Sequence, residues 1–258
     1  GVVHHMFDVA DAGETFSVAK YQQMADACAQ DILSRGKIPI VCGGTGLYLD
    51  ALIEGSVFSG DETNLEAREK YNAIAREQGA HALHEMLRAV DPVSAQRIHE
   101  NNVKRVVRAL EVYDQTGMTI NEWNAKNKRP EPKYDAILFA LCPSDRQMLY
   151  DRIDRRVDQM AEQGLVAETE RLWKGGKLIG TAGQAIGYKE LVPYLEGRES
   201  LETCLDTLKR ASRNYAKRQL TWLRRDSRVH WLQYDAPEDF SGILQQVTEI
   251  LSERGVTY

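Results

Sequence analysis

The chain has 258 residues, which suffice for one large domain or for a domain with a smaller insertion. Its net charge of −5 means that the protein as a whole does not attract polyanions, so a nucleic-acid surface would have to be a local basic patch. The four cysteines are far apart and form no CxxC pair, which argues against a zinc site and a disulfide framework and favours a cytoplasmic protein. No apolar run is long enough to span a bilayer, so we expect no membrane partner.

The first predicted elements are a helix and a strand. Apolar residues recur at helical spacing over residues 17–35, and Gly36 follows where a helix commonly ends. Residues 38–42 (IPIVC) are typical of a short buried strand. Half of a βαβ unit is therefore predicted, which favours a parallel sheet.

A glycine-rich loop, Gly43 to Gly46, comes next and leads into a predicted helix. Exposed backbone N–H groups and a helix N-terminus both favour an anion, so the loop could hold a phosphate. The chain nevertheless contains no GxxxxGK[ST] motif, and this loop lacks the lysine that reaches phosphates in a Walker-type loop. We therefore interpret it as half of a phosphate site.

Residues 61–130 are predicted to form an all-helical insertion. Thr63 and Glu66 form a capping-box pattern before a helix that ends near Gly79. Two more helices are predicted, over residues 80–90 and 103–116, and no strand pattern occurs in this stretch. The predicted organisation is an α/β core made of residues 1–60 and 131–258, with residues 61–130 inserted into it.

The sheet is predicted to resume with residues 134–143, whose nearly continuous apolar run indicates burial on both faces. Helices follow from residue 145 to about 173, and then a glycine-rich loop at 175–190 that could either wrap a nucleic-acid backbone or simply connect two helices. A long basic helix, the strand 229–234 and a terminal amphipathic helix complete the chain.

Residues 208–225 of the basic helix carry seven cations and no acidic residue. Arg210, Arg213, Lys217 and Arg224 lie near one helical face, and like charges so placed repel. Because we expect nothing local to neutralise them, a partner anion is the simple explanation, and the interleaved Tyr215 and Trp222 are typical of RNA surfaces. The alternative is a solvated face with the aromatic residues packed inward.

Two smaller basic clusters are weaker signals. Lys104, Arg105 and Arg108 lie on one side of a predicted helix, where they could contact phosphates or merely be solvated. Arg152 and Arg156 are four residues apart and project together, as the stabilisation of a pyrophosphate leaving group requires. The alternative for the second cluster is a set of Asp–Arg pairs within the helix.

Taken together, several segments resemble the tRNA dimethylallyltransferase family, also called tRNA isopentenyltransferases. They occur in the order of the family and cover essentially the whole chain. They include HHMFDV, FSVAKYQ, GKIPIVCGGTGLYLDALIEG, ENNVKRVVRALEVY, DRIDRRVDQM, QAIGYKE and AKRQLTWLRR.

The resemblance implies a P-loop-kinase-like α/β core with a parallel sheet and a helical insertion. It implies transfer of the dimethylallyl group from dimethylallyl diphosphate to N6 of the adenosine 3′ of the anticodon of a tRNA, with release of pyrophosphate. The base would be flipped out of its stack, and Mg²⁺ with basic residues would take up the charge. The expected partners are a tRNA anticodon stem-loop and dimethylallyl diphosphate, and the expected state is a cytoplasmic monomer.

The resemblance also assigns residues. Thr45 would lie near the reactive centre with Arg156, while Gly43, Gly44 and Arg152 would help to bind the diphosphate. The residues matched to tRNA contact come from three segments: Lys104, Arg105 and Arg108; Gly187, Tyr188 and Lys189; and Arg213, Lys217, Arg218, Gln219, Thr221, Trp222 and Arg224.

One departure from the family pattern is large. The family begins with a first strand, a GPTxSGK[ST] loop and an Asp-Ser motif whose aspartate is the general base, and none of these occurs ahead of the GGTG loop in this sequence. We therefore expect that the first strand and P-loop are missing, and that this chain by itself is inactive. Two alternatives remain open: a fragment of a P-loop nucleoside or small-molecule kinase, and a non-catalytic RNA-binding remnant.

Overall fold

A computed structural model describes residues 1–55, 65–127, 131–236 and 240–256. The chain divides into two compact units, Gly1–Leu49 with Asp135–Tyr258, and Asp50–Tyr134. The predicted boundaries of the insertion, after residue 60 and at residue 130, lie outside the described residues, as does Thr63 of the predicted capping box.

The described elements are mostly helices. In chain order they are α1 Val18–Ser34, α2 Gly46–Glu54, α3 Leu65–Val90, α4 Pro92–Arg97, α5 Val103–Thr116, α6 Ile120–Asn127, β1 Leu138–Pro143, α7 Arg146–Glu162, α8 Leu165–Lys174, α9 Val192–Leu195, α10 Leu201–Leu223, β2 Val229–Tyr234 and α11 Phe240–Glu253. None of these helices is long and apolar enough to cross a membrane.

Helix α1 confirms the prediction for residues 17–35. The Ser17 side chain accepts a hydrogen bond from the Lys20 N–H, as an N-cap residue does. Ala25 and Ala29 are buried, and Gly36, with φ of 66°, lies just beyond the end of the helix. In this left-handed conformation glycine has no steric cost, which explains why the helix ends there.

The sheet of the first unit contains β1 and β2, which are parallel. The pairing runs in register from Leu138 opposite Val229 to Pro143 opposite Tyr234. The prediction of a parallel α/β arrangement is confirmed for these strands. Burial of β1 on both faces is not found, because Leu141 is 61% exposed whereas Ala140 is 3% exposed.

The predicted strand at 38–42 is wrong for the described structure. These residues have no regular secondary structure, and Ile38 and Ile40 are 62% and 81% exposed. A strand needs a neighbour that accepts and donates its backbone hydrogen bonds. Within the described part of the chain, the sheet has only the two strands β1 and β2, and neither pairs with this segment.

The second unit has a core of its own, built where α3 packs against α5 and α4. Tyr71, Leu83, Leu87, Val106 and Leu110 are among its buried residues. The predicted helix break at Gly79 is confirmed, since this glycine has φ of 87° and kinks α3. All described elements that lie wholly in this unit are helices.

Candidate functional site

The GGTG loop, residues 43–46, belongs to the first unit and leads into α2, whose first residue is Gly46. The Thr45 carbonyl accepts hydrogen bonds from the N–H groups of Tyr48 at 2.9 Å and Leu49 at 3.1 Å, so Thr45 is the residue from which the helix starts. Its side chain is exposed. The loop thus presents a hydroxyl next to the first N–H groups of a helix, an arrangement that suits an anion.

Helix α10 lies against this loop. Gln219 Nε2 donates a 2.9 Å hydrogen bond to the Gly44 carbonyl, and the hydroxyls of Thr45 and Tyr215 are 3.3 Å apart. A Cβ on Gly46 would lie 2.2 Å from the Trp222 ring. Sequence reasoning missed this contact, although the spacing of 215, 219 and 222 is that of one helical face.

Tyr48 of α2 also contacts α1. Its ring stacks on that of Tyr21 with 4.4 Å between the ring centroids. Burial is the first cause that raises the pKa of both phenols above the ordinary value, so both stay neutral. The start of α2 is therefore held in place by α1 on one side and by α10 on another.

Two cations of the basic helix have an acidic partner nearby. Our expectation that nothing local neutralises the charges of this helix is therefore wrong for these two residues. Lys209 Nζ lies 2.7 Å from Asp158, and Arg213 Nη1 lies 2.5 Å from Asp154. The hydrogen bond to Asp158 raises the pKa of Lys209. Both acids belong to α7, which packs against α10, and this packing could not be seen in the sequence of α10 alone.

Three other cations of the same region stack on aromatic rings instead. Lys217 Nζ is 5.7 Å from the Tyr150 ring centroid, Arg218 Cζ is 5.5 Å from that of Tyr215, and Arg224 Cζ is 5.8 Å from that of Trp231. All three cations are exposed, and none has an acidic partner among the described residues. They remain able to contact a polyanion. The Thr221 hydroxyl, also a predicted contact, donates to the Lys217 carbonyl at 2.8 Å.

Arg152 and Arg156 lie on α7 and are both exposed. Arg152 Nη1 donates to the Tyr234 hydroxyl at 3.2 Å, at the end of β2. Arg156 has no hydrogen-bond or ion-pair partner within the described ranges. The structure therefore leaves the guanidinium of Arg156 available to an anion and orients that of Arg152.

Acidic side chains hold the predicted tRNA-binding segment 187–189. The Gly187 N–H donates to Glu190 at 3.0 Å, and Glu190 itself is 8% exposed. The Tyr188 hydroxyl donates to Glu168, and this hydrogen bond is the largest cause that raises the Tyr188 pKa to about 12. Lys189 Nζ lies 3.7 Å from Glu190. Contacts to Glu168 and Glu190 thus hold this segment in place, and its Gly187 is buried.

The predicted basic cluster of α5 belongs to the second unit. Lys104, Arg105 and Arg108 are exposed, as the amphipathic pattern predicts. Arg108 Nη1 lies 3.2 Å from Glu111, a fully buried carboxylate that also accepts from Arg68 Nη2 at 2.9 Å. The sequence did not single out Glu111, which fixes the direction of the Arg108 side chain.

The described residues include no group of three or more His, Cys, Asp or Glu side chains that could hold a metal ion. The donors near the GGTG loop are a threonine hydroxyl, a tyrosine hydroxyl, the side-chain amide of Gln219 and backbone groups, which without a carboxylate do not fit a resident Mg²⁺.

Comparisons with known proteins give a consistent result. A family model described as IPP transferase matches residues 1–226. The chain is 43% identical to the tRNA dimethylallyltransferase of Carboxydothermus hydrogenoformans, over 99% of this chain and 81% of the relative.

Two solved structures are also similar to the chain. The tRNA isopentenylpyrophosphate transferase of Bacillus halodurans is 39% identical, with a TM-score of 0.67 and coverage of 99% of this chain and 80% of that one. A eukaryotic dimethylallyltransferase described as acting on tRNA is 27% identical, with a TM-score of 0.76 and coverage of 99% and 66%.

Proposed function

The chain belongs to the IPP transferase family, and from this membership we propose that the protein transfers the dimethylallyl group of dimethylallyl diphosphate to N6 of the adenosine 3′ of a tRNA anticodon. The match of the family model to residues 1–226 carries the proposal. The kinase-fragment and RNA-remnant alternatives receive no support from the comparisons.

In the proposed reaction, the exocyclic amine of adenosine attacks the allylic carbon of the donor. A C–N bond forms, the C–O bond to the diphosphate breaks, and the amine loses a proton while pyrophosphate leaves. Charge develops on the leaving group, so donors directed at it stabilise the transition state. The target base must leave its stack to reach the donor.

The GGTG loop is proposed as one wall of the diphosphate site. Thr45 contributes its hydroxyl and N–H, and the start of α2 contributes its partial positive charge. Arg156 is proposed to contact the diphosphate because its guanidinium has no other partner among the described residues. Arg152, held by Tyr234, contributes a second positive charge on the same helix.

The other groups that bind the diphosphate or act as the general base are also part of the proposal. The 258 residues contain no GK[ST] sequence, so we propose that a lysine-bearing loop and an aspartate general base act from outside them, with Mg²⁺ bound mainly by the diphosphate. The exposed apolar residues Ile38, Ile40 and Val41 support a strand that pairs with residues 38–42.

For the tRNA, the proposal rests first on the exposed cations Lys217, Arg218 and Arg224. Phosphate contacts by such residues are electrostatic and independent of sequence. The segments 104–108 and 187–189 are proposed as further contacts. For Arg213 we propose a smaller role, since Asp154 already matches its charge.

The test is a prenyl-transfer assay with labelled dimethylallyl diphosphate, Mg²⁺ and unmodified tRNA. It compares the protein expressed from its complete gene with the 258 residues alone. We expect the first to label the adenosine 3′ of the anticodon and the second to give no turnover. A Thr45→Ala variant of the first should lose at least tenfold in kcat.

Absence of labelling with the gene product would overturn the proposed function. Turnover by the 258 residues alone would leave that function intact and would show that neither the lysine-bearing loop nor the aspartate is indispensable. Labelling of another nucleotide would contradict the proposed acceptor.

A further inference from the structure

The loop-facing side of α10 contacts three consecutive residues of the GGTG loop. Tyr215, Gln219 and Trp222 contact Thr45, Gly44 and Gly46, respectively. At about 100° a residue, these three side chains lie within a narrow sector of the helix. Resting on the proposed function, we propose that Tyr215 and Gln219 are positioning residues that orient Thr45 towards the diphosphate.

The hydrogen bond from Gln219 to the Gly44 carbonyl sets the direction of the Thr45 N–H group. A trans peptide is planar, so its C=O and N–H point in opposite directions. Since Gln219 Nε2 holds the Gly44 carbonyl towards α10 at 2.9 Å, the Thr45 N–H of the same peptide points away from α10. An anion on that open side would meet a donor already in place.

The Tyr215 hydroxyl has a matching effect on the Thr45 side chain. The two hydroxyls are 3.3 Å apart, and either could donate. A phenol is the better donor of the two, so the proposed arrangement has Tyr215 donating to Thr45 Oγ1. The Thr45 hydroxyl then has its own hydrogen free to donate to a phosphate oxygen. Both Thr45 donors are thereby directed by α10.

The close approach of α10 to the GGTG loop also explains why residues 44 and 46 are glycines. A Cβ on Gly44 would lie 1.9 Å from Gln219 Nε2, and a Cβ on Gly46 would lie 2.2 Å from the Trp222 ring. Distances below 3 Å require a shift of one partner. The two glycines allow α10 to approach the loop closely enough for the hydrogen bonds to form.

In this proposal, the two sides of α10 have different roles. Lys217 and Arg224 lie roughly 180° around the helix from the loop-facing residues. They carry charge that suits the tRNA, whereas Gln219 and Trp222, which the sequence assigned to tRNA contact, support the loop. Variants on the two sides should therefore change different kinetic parameters.

The experiment compares Gln219→Met and Tyr215→Phe in the protein from the complete gene. Each change removes a hydrogen-bonding group and keeps the approximate size of the side chain. We expect kcat to fall about tenfold while the KM for tRNA stays within twofold. Lys217→Ala should instead raise the KM for tRNA, and Gln96→Met, at an exposed position on α4, is the matched control.

A second measurement does not depend on activity. Gln219→Met should speed hydrogen exchange of the amides at 43–48, where the loop starts α2, without changing exchange in α7. An unchanged kcat, or a raised KM for tRNA in Gln219→Met, would overturn the positioning role. If the wild-type protein transfers nothing, the proposed function fails, whereas unchanged exchange contradicts only the loop contact.

Discussion

Glu111 shows how one buried side chain can organise a charged surface. It is fully buried, yet it accepts from Arg68 and lies 3.2 Å from Arg108, both of which are about half exposed. A buried carboxylate without such partners would be costly. The sequence pattern separated charged from apolar faces of α5 and so recognised Arg108, but it could not reveal which residue anchors that arginine.

Replacing Glu111 by Gln should destabilise the protein by about 2 kcal/mol. The change removes the charge that compensates two guanidinium groups and leaves an amide donor facing them in a buried position. Urea denaturation followed by circular dichroism measures the effect. Glu77→Gln, at an exposed position on α3, is the control and should stay within about 0.5 kcal/mol of the wild type. Equal stability of both variants would contradict the anchoring role of Glu111.

Helix α10 shows what helical spacing does and does not predict. The spacing correctly indicates that residues 215, 219 and 222 share a face. It does not indicate that this face meets the GGTG loop, because the loop lies some 170 residues earlier in the chain. It also cannot distinguish Arg213, paired with Asp154, from Lys217, which has no acidic partner in the described part of the chain.

Because Arg213 has an acidic partner and Lys217 has none among the described residues, their replacement should affect tRNA binding unequally. Lys217→Ala combined with Arg218→Ala should lower the slope of log K against log salt by up to about two, as the loss of two phosphate contacts requires. Arg213→Ala should change the slope by less, because Asp154 already neutralises this charge. Filter binding across a salt series measures both effects.

The control for this series is Lys174→Ala with Arg198→Ala, which removes the same number of charges elsewhere. Its slope should match that of the wild type. A slope that drops equally in the control would mean that net charge, and not the α10 cations, governs binding. An unchanged slope in the Lys217 and Arg218 variant would mean that this side of α10 is only solvated.

For the whole molecule, the division into two units has a consequence for stability. The unit Asp50–Tyr134 is continuous in sequence and has a core of its own around Leu83 and Leu87. A peptide of residues 46–134, which retains all of α2, should therefore be helical and should melt cooperatively. Circular dichroism at 222 nm measures both properties.

Leu87→Ala in that peptide tests whether the same core is responsible. This leucine is completely buried, so its truncation should cost about 2–5 kcal/mol. A non-cooperative melt of the parent peptide, or a Leu87→Ala variant as stable as the parent, would contradict an autonomous core in this unit.

Many of the elements, and the family, could be predicted from the sequence alone. Helical periodicity predicted α1 and the helix break at Gly79, the apolar runs predicted β1 and β2, and the ordered motifs indicated the family to which the chain belongs. These signals are local, because an element depends mainly on residues close to it in the chain and a motif is a short run of residues.

How segments that are distant in the chain meet could be seen only in the folded structure. Residues 38–42 have a strand pattern but no strand beside them among the described residues, and strand pairing depends on a neighbour. Likewise, acids of α7 neutralise Lys209 and Arg213, whereas Lys217 lies over the ring of Tyr150 on the same helix. The GGTG loop suggested a substrate contact in the sequence, and the structure adds that α10 holds it, because hydrogen bonds and ion pairs act over a few ångströms of space.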